Sequence, residues 1–248
     1  MRKLLFIAAV FFILSSSKCK KDDEALKGNI SLNIATTYNN SPLIINKIYD
    51  YNGKKVRFTK LSFFVSNINA VNLSSLSGES LYKDIAFFDF TSLDDSVKAT
   101  KGSDITYSQF VDKYLSINMN VGVNQGLNTK KPKDYPSSNP LSDAGNYWED
   151  WNSYIFLKLE GLMDKDGDGK FESGITLHTG GNEVYQPLSF KKSFNVSEGQ
   201  TTTINFSLDL NKLLTGIDLT TINATHQTGD LPTMKKLMGN FPTALTLK

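Results

Sequence analysis

Alternation of apolar and polar residues every second position dominates the chain and predicts strands with one buried and one wet face. In NISLNIA (29–35), Ile30, Leu32 and Ile34 fall on one face. In LSINMNVGV (115–123), Leu115, Ile117, Met119, Val121 and Val123 alternate with Ser116, Asn118, Asn120 and Gly122. In TTTINFSLDL (201–210), Thr202, Ile204, Phe206, Leu208 and Leu210 share a face. The run KKVRFTKLSFFVSNI (54–68) starts in one phase at Val56 and Phe58, then resumes at Leu61, Phe63 and Val65. Such a slip predicts a bulge or bend near Lys60. Helical spacing appears only around Leu210–Leu214 and Thr233–Met238. The expected fold is therefore all-β, an antiparallel β-sandwich with a few short helices.

The N-terminus departs from this pattern. Arg2 and Lys3 precede an apolar run from Leu4 to Leu14, followed by Ser15, Ser16 and Ser17. That is a signal peptide's charged and apolar regions, too short for a permanent membrane span. Cys19, the only cysteine, follows directly, in the position of a lipidated residue in bacterial lipoproteins. Residues 1–18 are thus expected to be a lipoprotein signal peptide, 19–27 a charged, disordered tether, and 28–248 one β domain. The membrane would be reached through the lipid anchor, and the location would be the outer membrane, on its periplasmic or its exposed face. The 27 Lys and Arg residues, less Arg2, Lys3 and Lys18, leave 24 basic against 25 acidic side chains. A near-neutral chain without a basic stripe argues against nucleic acid.

Between two strand-like runs, LMDKDGDGKFES (162–173) sets Asp164, Asp166 and Asp168 at alternate positions ahead of Gly169. Hard carboxylate oxygens at this spacing suit Ca²⁺, with the Lys170 backbone carbonyl and Glu172 completing a shell. An EF-hand is excluded, because its bidentate glutamate would fall on Ile175 and the flanks carry no helical stripe. The residues describe a β-hairpin with a calcium-like tip, where calcium would stiffen the turn. A solvated Asp-Gly turn has the same composition.

The stretches RFTKLSFFVSNI (57–68), INMNVGVNQGLN (117–128), NPLSDAGNYWEDWNSYIFLKLEG (139–161), LHTGG (177–181) and LMGNFPTALTL (237–247) together resemble the MbnP-like domain. This is the domain of methanobactin-associated periplasmic proteins and related copper-binding proteins. The resemblance implies an exported, all-β protein that binds copper through histidines and a tryptophan oxidised to kynurenine by a dihaem peroxidase-like partner. On this chain Trp148 and Trp151 match the paired tryptophans, and His178 matches the downstream histidine. Thr129 follows Asn128 where many relatives carry a further histidine, which removes one implied ligand.

The residues themselves limit the chemistry. Without a cysteine in the domain, thiolate sites are excluded, and His178 and His226 form a minimal imidazole site for copper if they meet in space; otherwise they are two unrelated polar histidines. In GITLH, Ile175 and Leu177 take the core face, so His178 points to the other side. Trp148 and Trp151 must lie near the surface if a partner is to reach them. No Gly-x-Ser-x-Gly, His-Glu-x-x-His or phosphate loop argues for an enzyme. The reading is an exported, lipid-anchored copper sequestration or transport protein, with calcium as a structural ion. The alternative is a copper-free structural or ligand-binding module of the cell surface.

Overall fold

In β1 (Lys27–Tyr38), Ile30, Leu32 and Ile34 turn their full side chains inward, while Asn29 and Asn33 stay partly exposed. The computed structural model describes residues 25–72 and 82–248. The expected signal peptide, Cys19 and most of the expected tether lie outside the described residues. After β1 come β2 (Ser41–Pro42), β3 (Ile48–Tyr51), β4 (Lys54–Asn72) and β5 (Tyr82–Asp89). Then follow β6 (Ser103–Phe110), β7 (Asp112–Val121), β8 (Tyr147–Trp148), β9 (Ser153–Asp164) and β10 (Ser173–Gly180). The last strands are β11 (Gln186–Val196), β12 (Thr201–Asp209), β13 (Ala224–Thr225) and β14 (Leu245–Leu247). Short helices α1 (Ser96–Lys101), α2 (Gln125–Asn128), α3 (Leu210–Leu213), α4 (Leu231–Gly239) and α5 (Phe241–Ala244) connect them. Helices α3 and α4 fall where the helical spacing predicted them.

Among the described residues, five strands form one sheet, ordered β14-β12-β1-β2 with β6 also on β1. Nine form the other, ordered β11-β7-β4-β9-β10-β13, with β3 and β5 on β4 and β8 on β9. The inner faces meet in one core, where Phe63 packs on Phe88, Phe90 and Phe241, and Phe190 meets Phe206 edge-on. Full burial of such side chains contributes about 1.5–3 kcal/mol each and drives the layering. No helix among the described residues is long and apolar enough to cross a membrane.

Two expectations need correction. The sandwich is mixed and not purely antiparallel, since β1 runs parallel to β12 and β10 parallel to β13. Leu115 is 37% exposed, and Tyr114 takes the core position instead. Both neighbours of β7 skip a residue here: Val71 and Asn72 pair with Ser116 and Tyr114, and so do Lys191 and Phe194. Leu115 is thereby bypassed, and Tyr114 stacks on Phe194 at 5.3 Å. The slip expected near Lys60 is present as a register shift between Phe58 and Lys60 against β9. Gly161 sits across from it, where an added Cβ would come within 2.6 Å of the Arg57 carbonyl oxygen.

Candidate metal centre

Four strands of the larger sheet carry the residues of interest, and β9 is the axis. Hairpin β8–β9 pairs Tyr147 with Tyr154 and Trp148 with Ser153. Its turn closes through Asn152, which adopts φ +49°, a left-handed conformation that asparagine tolerates. The Asn152 N–H donates to the Glu149 carbonyl, and Tyr147 Oη donates to Asn152 Oδ1 at 2.7 Å. The turn folds Trp151 back on Trp148, with ring centroids 4.8 Å apart. Both indoles are half-buried. Buried Lys158 of β9 donates to the Gly145 carbonyl at 2.5 Å and ties down the chain entering Trp148. Desolvation holds this lysine below its ordinary pKa.

On the other edge of β9, antiparallel β10 brings His178 opposite Lys158. Ile175 and Leu177 are buried in the core, and His178 lies on the opposite face, as the alternation requires. Its side chain is only 12% exposed. Strand β13 then lies parallel to β10 with Leu177 beside Thr225, and Thr225 Oγ1 donates to the His178 carbonyl at 2.6 Å. His226 is the next residue, its N–H held by Asp230 Oδ2 at 2.7 Å.

Three segments far apart in sequence thus converge. The His178 and His226 ring centroids are 5.1 Å apart, with planes at 90°. Trp148 stands 5.8 Å from His178 and 5.3 Å from His226. Two imidazoles bonded to one ion at about 2 Å, at a near-tetrahedral angle, have centres roughly 5 Å apart. The observed spacing is of that size. His178 Nε2 lies 2.9 Å from Glu160 Oε1. Burial pushes the His178 pKa below the ordinary imidazole value, while Glu160 opposes the shift and His226 and Lys158 add to it. A depressed imidazole stays neutral at pH 7 and keeps the lone pair that ligation needs. Thr129 caps α2 and gives its hydroxyl to the Gly126 carbonyl at 2.9 Å.

The MbnP family profile matches residues 27–230. The chain belongs to the MbnP family. Among solved structures, MbnP from Methylosinus trichosporium is similar at 12% identity, with a TM-score of 0.55 and 81% of each chain covered. At that identity the likeness concerns the fold. No curated protein matches the chain.

The second cluster lies at the far end of the same β9–β10 hairpin. Asp164, Asp166, Asp168 and Glu172 each offer a carboxylate oxygen within 4.8 Å of the others. Asp164 is buried and accepts from the Gly167 and Gly169 N–H groups at 2.7 and 2.9 Å. Both glycines hold positive φ, which lets the turn wrap around that carboxylate. Lys170 reaches Asp168 through its ammonium group. Flanking strands pair in antiparallel register from Ser173 opposite Met163, so the tip closes a β-hairpin.

Sequence reasoning missed two residues around the first cluster. Glu160, paired with His178, is legible only once the hairpin register is known. Asn128 served as a landmark in a motif, yet it is a buried hub. Its Nδ2 donates to Ser153 Oγ and Asn182 Oδ1 at 3.1 Å each, and its Oδ1 accepts from the Tyr154 N–H at 2.8 Å.

Proposed function

We propose that this protein is an exported, lipid-anchored copper-binding protein that sequesters or carries the metal and does not act as an enzyme. The convergence of His178, His226 and Trp148 carries the reading. His178 and His226 would hold the ion, with Trp148 or Trp151 beside it. The donor set fits copper: neutral imidazoles without thiolates or an all-oxygen shell. The family's association with copper-related function supports the same choice. When bound, copper would supply an affinity for soft and borderline donors that this site meets with imidazole nitrogen.

A dihaem peroxidase-like partner would oxidise one tryptophan and so add a carbonyl or amine ligand. Half-burial of both indoles supports access, as does a cleft of about 270 Å³ lined by Asp150, Trp151, Gly180, Gly181, Glu183 and Leu231. Thr129 in place of a histidine favours the second reading, a copper-free surface module. Copper analysis of protein purified from its native host, which holds any such partner, separates the two: stoichiometric copper supports the first, and metal-free protein the second.

Anchoring at Cys19 would place the protein at the outer membrane, on its periplasmic or its exposed face. Exchanging Cys19 for Ser is expected to move the protein from the membrane fraction to the soluble fraction without altering its melting temperature. Retention in the membrane would end the anchor reading.

Calcium is the ion proposed for the hairpin tip, held by Asp164, Asp166, Asp168, Glu172 and the Lys170 carbonyl. At a hundredfold excess over its dissociation constant, a ligand of the native state adds about 2.7 kcal/mol. For a domain of this size that corresponds to roughly 5–10 °C in melting temperature. Asp166→Ala is expected to erase the calcium response while costing little in chelator. Coincident melting curves with and without Ca²⁺ would leave an ordinary Asp-Gly turn.

A further inference from the structure

We infer that Glu160 is a positioning residue for the histidine pair, fixing the His178 tautomer through Nε2 so that Nδ1 is left as the ring's lone pair. The inference rests on the copper reading above and goes beyond it by naming the nitrogen and the group that selects it.

The argument begins with strand geometry. Along LKLEG (157–161), Leu157 and Leu159 face the core, so Lys158 and Glu160 share the opposite face. In the β9–β10 register Glu160 lies opposite Thr176, and Lys158 opposite His178. Glu160 and His178 are therefore diagonal neighbours, a separation that a glutamate side chain can bridge. It does so with Oε1 at 2.9 Å from Nε2. A carboxylate only accepts hydrogen bonds, so the ring nitrogen facing it must carry the proton. A neutral imidazole has one ring proton, and the remaining nitrogen, Nδ1, is the only one able to ligate. Among the described residues Nδ1 has no hydrogen-bond partner.

Other charged groups on this face do not compete for the contact. Lys60 lies beside Glu160 in the β4–β9 register but forms no ion pair with it, and Lys158 is committed to the Gly145 carbonyl. Glu160 is 34% exposed on its side chain, so its substitution leaves the core intact. Carboxylates placed behind ligating histidines orient the ring and raise its basicity, and their loss typically weakens metal affinity.

The test uses the full-length protein, with Cu(I) titrated against a competing colorimetric chelator, and ¹⁵N NMR of the ring nitrogens before copper is added. Wild type should show His178 protonated at Nε2. Glu160→Leu should scramble the tautomer and weaken Cu(I) binding by about 10- to 100-fold. Glu160→Gln, whose amide oxygen still accepts from Nε2–H, should restore the tautomer and most of the affinity. Matching far-ultraviolet spectra and melting temperatures across the three proteins would separate this from a folding effect. A proton on Nδ1 in wild type would overturn the inference, and so would Glu160→Leu binding copper as wild type does. A wild-type protein that takes up no copper would end the copper reading itself, and this inference with it.

Discussion

Replacing His226 with alanine is expected to abolish stoichiometric copper in protein purified from the native host. It should also lower the Cu(I) affinity of the isolated protein by more than about 100-fold. The magnitude follows from comparison: loss of a group behind a ligand costs about 10- to 100-fold, and loss of a ligand must exceed that. With two imidazoles and no thiolate in the domain, neither histidine has a substitute. His226 is the cleaner choice of the two because its ring is exposed and its backbone is held independently by Asp230. An exposed substitution of this kind normally changes stability by no more than about 0.5 kcal/mol. His178→Ala should lose copper equally, although it also empties a largely buried position against Trp148. Metal content measured by mass spectrometry decides the matter, and a His226→Ala protein with undiminished copper would remove the two-histidine site.

Strand faces were legible because period two reports which side of a strand is apolar. The inward sets of β1 and β12 follow directly from the alternation, and so does the bulge near Lys60, since a bulge changes phase. Neighbours are a different matter. Nothing in NISLNIA says that its partner is TTTINFSLDL or that the two run parallel, because pairing depends on how the whole chain winds. Leu115 fails for a related reason: two adjoining strands skip the same residue, and no property of Leu115 itself announces that.

The candidate centre divides along the same line. The residue types were readable from a small inventory of two histidines and two tryptophans. Their meeting depends on a hairpin turn at Asn152, the β9–β10 register, and a parallel pairing of β10 with only two residues of β13. A two-residue bridge leaves no periodic trace in sequence. Glu160 was hidden by the same register, although LKLEG already placed it on the face opposite the core. A hairpin alignment set by the acidic tip would have put it diagonal to His178.

Asn128→Leu is expected to be the most destabilising single exchange near the site, costing about 3 kcal/mol and roughly 6–12 °C in melting temperature. Leucine keeps asparagine's branched outline and number of side-chain heavy atoms, so the exchange preserves the shape of the side chain while removing its polar atoms. The cost arises from hydrogen bonds. Asn128 is 5% exposed, and its Oδ1 is the acceptor for the buried Tyr154 N–H, while its Nδ2 reaches Ser153 Oγ and Asn182 Oδ1. An apolar side chain leaves that N–H without a partner at a position water does not reach, a penalty of about 1–3 kcal/mol for each such group. Ser153 Oγ in turn accepts from the Gly181 N–H, so the hub joins the end of α2, the β8–β9 turn and the end of β10. Those are the segments that seat Trp151 and His178. Asn128→Asp provides the control, since it keeps the acceptor for Tyr154 N–H, although it loses the two donated bonds and buries a carboxyl group. It should fall between wild type and Asn128→Leu in chemical denaturation. Copper affinity should decline in the same order, because a looser turn leaves the rings less well held. If Asn128→Leu melts within about 2 °C of wild type, the hub contributes little to the fold. The seating of the tryptophan turn would then rest on the Lys158 and Tyr147 contacts alone.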